Sequence, residues 1–237
     1  MTDRIEKAYC LKEEELAVLL TIKGVRQLYG FRMDIGADMS REQMHRILFE
    51  LARKNILSVS ESQIQIEDGV EAVLDDMVKA ENVLILTGRA EYPECCIYVG
   101  ENLAFVHLLG QSGKIYRILS VERKEACLKM REYGWLVPGV LDKPQACWED
   151  TENHQQIQEL ARMLYAQEKE RILQEEVVEC CLMQYSLLQS KKIWQLLIVN
   201  GVLEDYLVLS DEEQDLVYLY SDEKSEELLG QLIGGGI

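Results

Sequence analysis

The side chains that could carry chemistry are few and scattered. The three histidines, His45, His107 and His154, lie far apart, and no pair has the spacing of a zinc site. Cys147 and His154 come nearest, but a tetrahedral site needs a second ligand pair that this stretch does not supply. The seven cysteines are Cys10, Cys95, Cys96, Cys127, Cys147, Cys180 and Cys181, and four of them form adjacent pairs in stretches that read as strands. Neighbours on a strand point to opposite faces, so such pairs suit neither a disulfide framework nor a shared metal. Reduced, mostly buried thiols in the cytoplasm are the expectation. No serine stands in a Gly-x-Ser-x-Gly elbow, and Gly234-Gly235-Gly236 has no following helix to receive a phosphate. These residue types in this arrangement imply no catalytic centre, no cofactor and no metal; the expectation is a binding protein and not an enzyme.

Composition narrows the partners. The chain has 237 residues, 48% of them hydrophobic, and a formal net charge of −17. The acidic residues fall in short blocks, Glu13-Glu14-Glu15, Asp75-Asp76, Asp211-Glu212-Glu213 and Glu226-Glu227, which read chiefly as solvated helix faces and turns. A surface of that sign repels a phosphate backbone and argues against broad electrostatic binding to nucleic acid. Residues Met1 to Lys7 lack the apolar core of a signal peptide, and no run is apolar for long enough to span a bilayer, so the expectation is a cytoplasmic protein without membrane attachment.

The N-terminal segment, residues 1–80, reads as helical. Leu16, Leu19, Leu20 and Lys23 fall at helical spacing, with Gly24 placed to end the helix. Ser40-Arg41-Glu42-Gln43 forms a capping box that opens a second helix, on which Met44, Ile47, Leu48 and Leu51 make one apolar stripe. Asn55-Ile56-Leu57 leads over a turn into the alternating strand Gln63 to Glu67, and Asp68 is placed to cap a third helix whose core face is Val70, Val73, Leu74, Met77 and Val78. Helix, capped helix and hairpin in that order resemble a winged helix. The helix from Arg41 to Lys54 would then present Arg41, His45, Arg46, Arg53 and Lys54 to DNA, but Glu61 and Glu67 stand where a wing needs cations. A structural or protein-binding module is the favoured reading, and a winged-helix transcriptional regulator with a C-terminal sensing domain is the alternative.

Beyond residue 80 one unit occurs twice: four short apolar strands closed by an amphipathic helix, at 81–150 and again within 151–237. The first copy runs through Val83–Leu86, Cys96–Val99, Leu103–Leu109 and Ile115–Val121 to a helix from Glu122 to Tyr133. The second runs through Val177–Leu188, Ile193–Val199, Leu203–Leu209 and Asp215–Tyr220 to a helix from Asp222 to Ile233. A helix precedes each, Val70–Ala80 and His154–Leu173, so the two copies are expected to superpose. Several strands are apolar on both faces, which requires helices of the chain, or a partner, over the second face. The fold class is therefore α+β: antiparallel sheets with flanking helices, a duplicated meander-plus-helix with pseudo-twofold symmetry, and the winged-helix-like N-terminal region.

This arrangement resembles the EspG family, the cytosolic chaperones of type VII secretion systems. The resemblance is carried by element order and by the phrases Leu16-Ala17-Val18-Leu19-Leu20, Ser40-Arg41-Glu42-Gln43 leading to Leu51-Ala52-Arg53-Lys54-Asn55-Ile56-Leu57, and Val83-Leu84-Ile85-Leu86. It implies a chaperone or adaptor that binds the tip of a helical-hairpin secretion substrate and keeps it soluble. It also implies that the substrate meets the central sheet and the C-terminal helical part. On that basis the expected protein-binding residues are Arg89 and Tyr92 in the turn Gly88 to Pro93, and Leu228, Leu229, Leu232 and Ile233 on the last helix. The second group has an equally weighted reading, docking of the C-terminal helix onto its own body. If it contacts a partner, Leu232→Glu weakens capture and leaves the fold intact.

Overall fold

A computed structural model describes residues 7–25, 29, 39–60, 63–87, 95–109, 114–136, 154–175, 178–201 and 204–234. Its contacts divide the chain into two compact units, one of residues 1–83 and 93–123, the other of residues 84–92 and 124–237. The described elements are α+β, with helices packed on antiparallel strands.

The first unit begins with β1 (Tyr9–Lys12), which the sequence did not suggest. It exists because β7 offers it a ladder: Tyr9 stands opposite Ile118 and Lys12 opposite Ile115. The next residue starts α1 (Glu13–Ile22), whose Leu16, Ala17, Val18, Leu19 and Leu20 are all buried. Gly24 adopts φ 78° and ends the helix, with its N–H on the Thr21 carbonyl and that of Val25 on the Leu20 carbonyl, both at 2.9 Å. Helix α2 (Arg41–Arg53) opens on the capping box expected of Ser40. The Gln43 N–H donates to Ser40 Oγ at 3.2 Å, and the Ser40 N–H to Gln43 Oε1 at 2.9 Å. The hairpin of β2 (Leu57–Ser60) and β3 (Gln63–Ile66) follows, then α3 (Asp68–Lys79).

The cap of α3 is Glu67 and not Asp68. Its Oε2 accepts from the Val70 N–H at 2.9 Å and from the Tyr9 hydroxyl at 2.7 Å, while Lys7 Nζ holds Oε1 at 2.7 Å. Burial disfavours the charged Glu67, but these donors and the charge of Lys7 overcome it and hold the carboxyl at about 2 in place of 4.5. The residue that was expected to sit on an acidic wing is therefore a buttress that ties β1 to α3.

The chain crosses between the units within β4 (Asn82–Thr87) and returns to the first for the meander of β5 (Cys95–Val99), β6 (Leu103–Leu109) and β7 (Ile115–Val121). The strand order in this unit is β1-β7-β6-β5. All of β5 is buried; α3 packs on β5, β6 and β7, and α1 also packs on β7, so helices of the same chain cover strands that are apolar on both faces. Because β7 pairs with β1 and carries α3, the meander belongs with the N-terminal region; the units do not follow the segment ends at 80 and 150.

Where the chain passes into the second unit, the helix expected from Glu122 to Tyr133 is two pieces, a 3₁₀ turn at Arg123–Glu125 and α4 (Ala126–Glu132). Gly134, at φ 76°, ends α4 with the same pair of bonds seen at Gly24, from Gly134 N to Arg131 O and from Trp135 N to Met130 O, each 2.8 Å. Then come α5 (His154–Glu175), β8 (Val178–Ser186), β9 (Lys191–Asn200), β10 (Asp205–Ser210), β11 (Asp215–Leu219) and α6 (Asp222–Gly234). The order is β4-β8-β9-β10-β11, and α5 packs on β11 over a core of Ala161, Val199, Tyr206, Val208 and Val217. The order helix, four strands, helix thus occurs twice, as α3 to α4 and as α5 to α6, and the two closing helices α4 and α6 pack together.

Candidate functional site

Three of the described cysteines are not set up as nucleophiles. A reactive thiol needs a depressed pKa, whereas burial pushes the thiols of Cys96, Cys127 and Cys181 up. Cys95 and Cys96 are buried within β5, and Cys95 pairs across the strands with half-buried His107, which in turn stands opposite Arg117. Among the described residues no group of three or more His, Cys, Asp and Glu side chains could hold a metal ion, and Cys147 lies outside them.

The expected binding residues fare differently from one another. Arg89 and Tyr92 lie outside the described residues. Leu228, Leu229, Leu232 and Ile233 are 2%, 0%, 2% and 4% exposed, so the stripe is the face by which α6 docks. Buried Gln184 reaches this helix from β8 and donates through Nε2 to the Leu232 carbonyl at 3.2 Å. The first turn is pinned by Arg131 of α4, whose Nη2 donates to the Asp222 carbonyl at 2.9 Å and to Ser225 Oγ at 3.1 Å, while Nη1 pairs with Glu226 at 2.9 Å. What α6 presents outward is acidic: Asp222, Glu223, Glu226 and Glu227.

Two surfaces were not legible as sites, and a third was legible only as a face for DNA. A groove of about 590 Å³ in the second unit runs between the start of α5, the end of β11 and the first turns of α6. Its floor is Tyr218, Leu219 and Tyr220, and its walls include Ile157, Glu223 and Glu227. Within it Lys224 Nζ lies 4.6 Å from the Tyr218 ring centroid and 2.8 Å from both Glu227 oxygens. The Tyr220 hydroxyl stands 2.9 Å from both the Leu136 carbonyl and an Asp222 oxygen, and burial, with Asp222 beside it, pushes that phenol up to about 12.

The second surface is the tip of the β8–β9 hairpin. The strand expected to reach Leu188 ends at Ser186, and residues 187–190 turn instead, with Ser190 at φ 52°. Leu188 is 79% exposed there, flanked by half-buried Tyr185, Leu187 and Trp194. Aromatic side chains such as those of Tyr185 and Trp194 are enriched in protein interfaces. The third is the outer face of α2, where Phe49 is 68% exposed. The cations of this helix are largely engaged by carboxylates of the chain: Arg46 with Glu14 at 3.0 Å, Arg53 with Glu50 at 2.8 Å and Lys54 with Glu15 at 2.6 Å.

Neither the scan of family models nor the search of curated proteins gives a match. The solved structures do. The chain is similar in fold to the type VII secretion system chaperone EspG5 of Mycobacterium tuberculosis, with a TM-score of 0.58 over 96% of each chain at 9% sequence identity. EspG5 was solved in complex with a PE25–PPE41 dimer. At that identity the likeness concerns the fold, which is the one that the order of elements implied. Among the described residues no helix is long and apolar enough to cross a membrane.

Proposed function

We propose that this chain is a non-enzymatic adaptor or chaperone that caps the tip of a helical-hairpin secretion substrate in a type VII pathway. One observation carries the reading: the fold likeness to EspG5 extends over 96% of both chains, and that chaperone was solved in complex with a PE25–PPE41 dimer. The mechanism is mass action. A binder that covers exposed apolar surface removes it from self-association, and its effect grows with the ratio of its concentration to Kd.

Arg89 and Tyr92 are the proposed contacts from the loop, a guanidinium and an amphipathic ring, both enriched in interface cores. Leu228, Leu229, Leu232 and Ile233 serve binding indirectly, by fixing α6 to its own unit. The exposed apolar tip at Leu188 is a further contact, because it has no use within its own hairpin. Co-expression with a helical-hairpin secretion protein from the same gene neighbourhood tests the proposal: a complex that co-elutes and loses affinity on Tyr92→Ala supports it, and a chain that elutes alone while the helical protein aggregates sinks it. The regulator alternative has less to stand on, because Arg46, Arg53 and Lys54 of α2 already face carboxylates of the chain.

A further inference from the structure

We infer that the end of the β8–β9 hairpin inserts into the seam between two helices of its partner and meets a carboxylate of the partner on each side of that seam. The class of partner rests on the chaperone reading; how the partner is recognised comes from the hairpin itself. β10 pairs with β9 no further than Gln195, so residues 191–194 and the turn before them run on past it. The turn is closed by the Gln189 N–H, which donates to Ser186 Oγ at 3.2 Å. Its Leu188, at 79%, is the most exposed of the large apolar side chains among the described residues. Such an apex is convex, so what receives it is an apolar groove.

The register then sorts the two lysines that follow onto opposite faces. Lys191 stands opposite Ser186, which with Leu182 and Gln184 forms the buried face of β8, the face whose Gln184 bonds the Leu232 carbonyl of α6. Lys192 stands opposite Tyr185, on the face of half-buried Met183, whose Sδ lies 3.7 Å from the Tyr185 hydroxyl. Both lysines are exposed. Lys192 Nζ donates to the neutral Gln195 Oε1 at 3.0 Å, and among the described residues neither lysine meets a carboxylate. Elsewhere in this unit the chain spends its acidic excess on its cations, as at Arg131 with Glu226 and Lys224 with Glu227. The hairpin end is therefore a local positive site on a chain of net charge −17, with a cation on either side of an apolar apex.

Shape and charge together select the occupant. A single helix laid against the hairpin offers a carboxylate to one face only. Two helices packed side by side leave an apolar groove along their seam, and each can carry Asp or Glu at its rim, so that Leu188 enters the groove while Lys191 and Lys192 reach opposite rims. An anionic bilayer would also attract both lysines, but the net charge of the chain opposes its approach to one.

The test uses the full chain and three fluorescein-labelled helical-hairpin peptides with an open leucine seam: one with Glu at the rim of both helices, one with Glu on a single helix, and one with Lys on both. In fluorescence anisotropy the doubly acidic hairpin binds, the singly acidic one binds about threefold more weakly, and the lysine one at least about tenfold more weakly. Lys191→Glu and Lys192→Glu each weaken the doubly acidic hairpin by about fivefold and their effects multiply, because they act on different helices, while Leu188→Ser costs about tenfold. All three positions are at the surface, and circular dichroism confirms that the variants are folded. Equal affinity for the lysine hairpin, a double variant no weaker than either single one, no binding of the doubly acidic hairpin at about 1 mM, or co-sedimentation with vesicles of phosphatidylcholine and phosphatidylglycerol that is lost in the double variant each overturns the inference. Capture of a secretion substrate that is weakened by Tyr92→Ala but unchanged by the double lysine variant overturns it too and leaves the chaperone reading standing. Failure of the parent chain to capture that substrate, with the doubly acidic hairpin still bound, sinks the chaperone reading alone.

Discussion

Leu232→Ala separates docking of α6 from direct partner contact. Leu232 is 2% exposed, on the same stripe as Leu228, Leu229 and Ile233, and its carbonyl accepts from buried Gln184. Truncating a buried leucine costs about 2–5 kcal/mol, the sum of lost transfer energy and of the cavity that remains. The site lies near the end of a terminal helix, where neighbours can partly collapse, so the expected loss is about 3 kcal/mol. For a chain of this size that lowers Tm by about 6–12 °C. Thermal unfolding by circular dichroism reads the shift, and hydrogen exchange should show protection lost first along α6. Leu188→Ala, at a side chain 79% exposed, is the matched control and should stay within about 0.5 kcal/mol of the parent. A Leu232→Ala protein within about 1 °C of the parent would refute the account of α6. By the same burial, Leu232→Glu places a carboxylate where it cannot be solvated, so it disrupts the docking of α6 and does not leave the fold intact as the sequence suggested.

Acid should weaken the first unit through Glu67. Its carboxyl is held at about 2 against 4.5, so its contribution is fully present above pH 4.5 and lost as pH falls through about 2. The full shift would be about 3 kcal/mol, and screening at this solvent-facing position reduces it to about 1 kcal/mol. Urea unfolding at several pH values should show that limb in the parent and a flatter one in Glu67→Gln. Gly69→Ala places a Cβ against the Tyr9 hydroxyl and should cost about 1–3 kcal/mol, part of it recovered in a Tyr9→Phe background, and equal losses in both backgrounds would contradict the contact. Maleimide labelling followed by mass spectrometry should modify exposed Cys10 well before Cys95 and Cys96, whose reaction should wait for unfolding.

What could be read from the sequence was local. The Ser40 capping box and the glycine stop at Gly24 depend on residues within one turn, and they stand where the spacing put them. The order of strands and helices was legible for the same reason. Strand β1 was not, because four residues ahead of a run of glutamates carry too little pattern, and only pairing with β7 makes them a strand. Glu67 and Asp68 are both competent caps, and the choice fell to Glu67 because Lys7 and Tyr9 hold it from about sixty residues away. Helical periodicity showed that one side of α6 is apolar but could not say what covers it. The groove was invisible because Ile157, Tyr218 and Lys224 come from three elements that only the fold brings together.

The central claim is capture of a helical-hairpin protein, and the most direct measurement is light scattering from an aggregation-prone secretion substrate of that class, titrated with the chain and followed by size exclusion with mass determination. The account predicts that scattering falls to baseline near equimolar chain, that a complex of defined stoichiometry elutes, and that Tyr92→Ala moves the endpoint to higher concentration. Undiminished aggregation at excess chain, with the two proteins eluting separately, would contradict it.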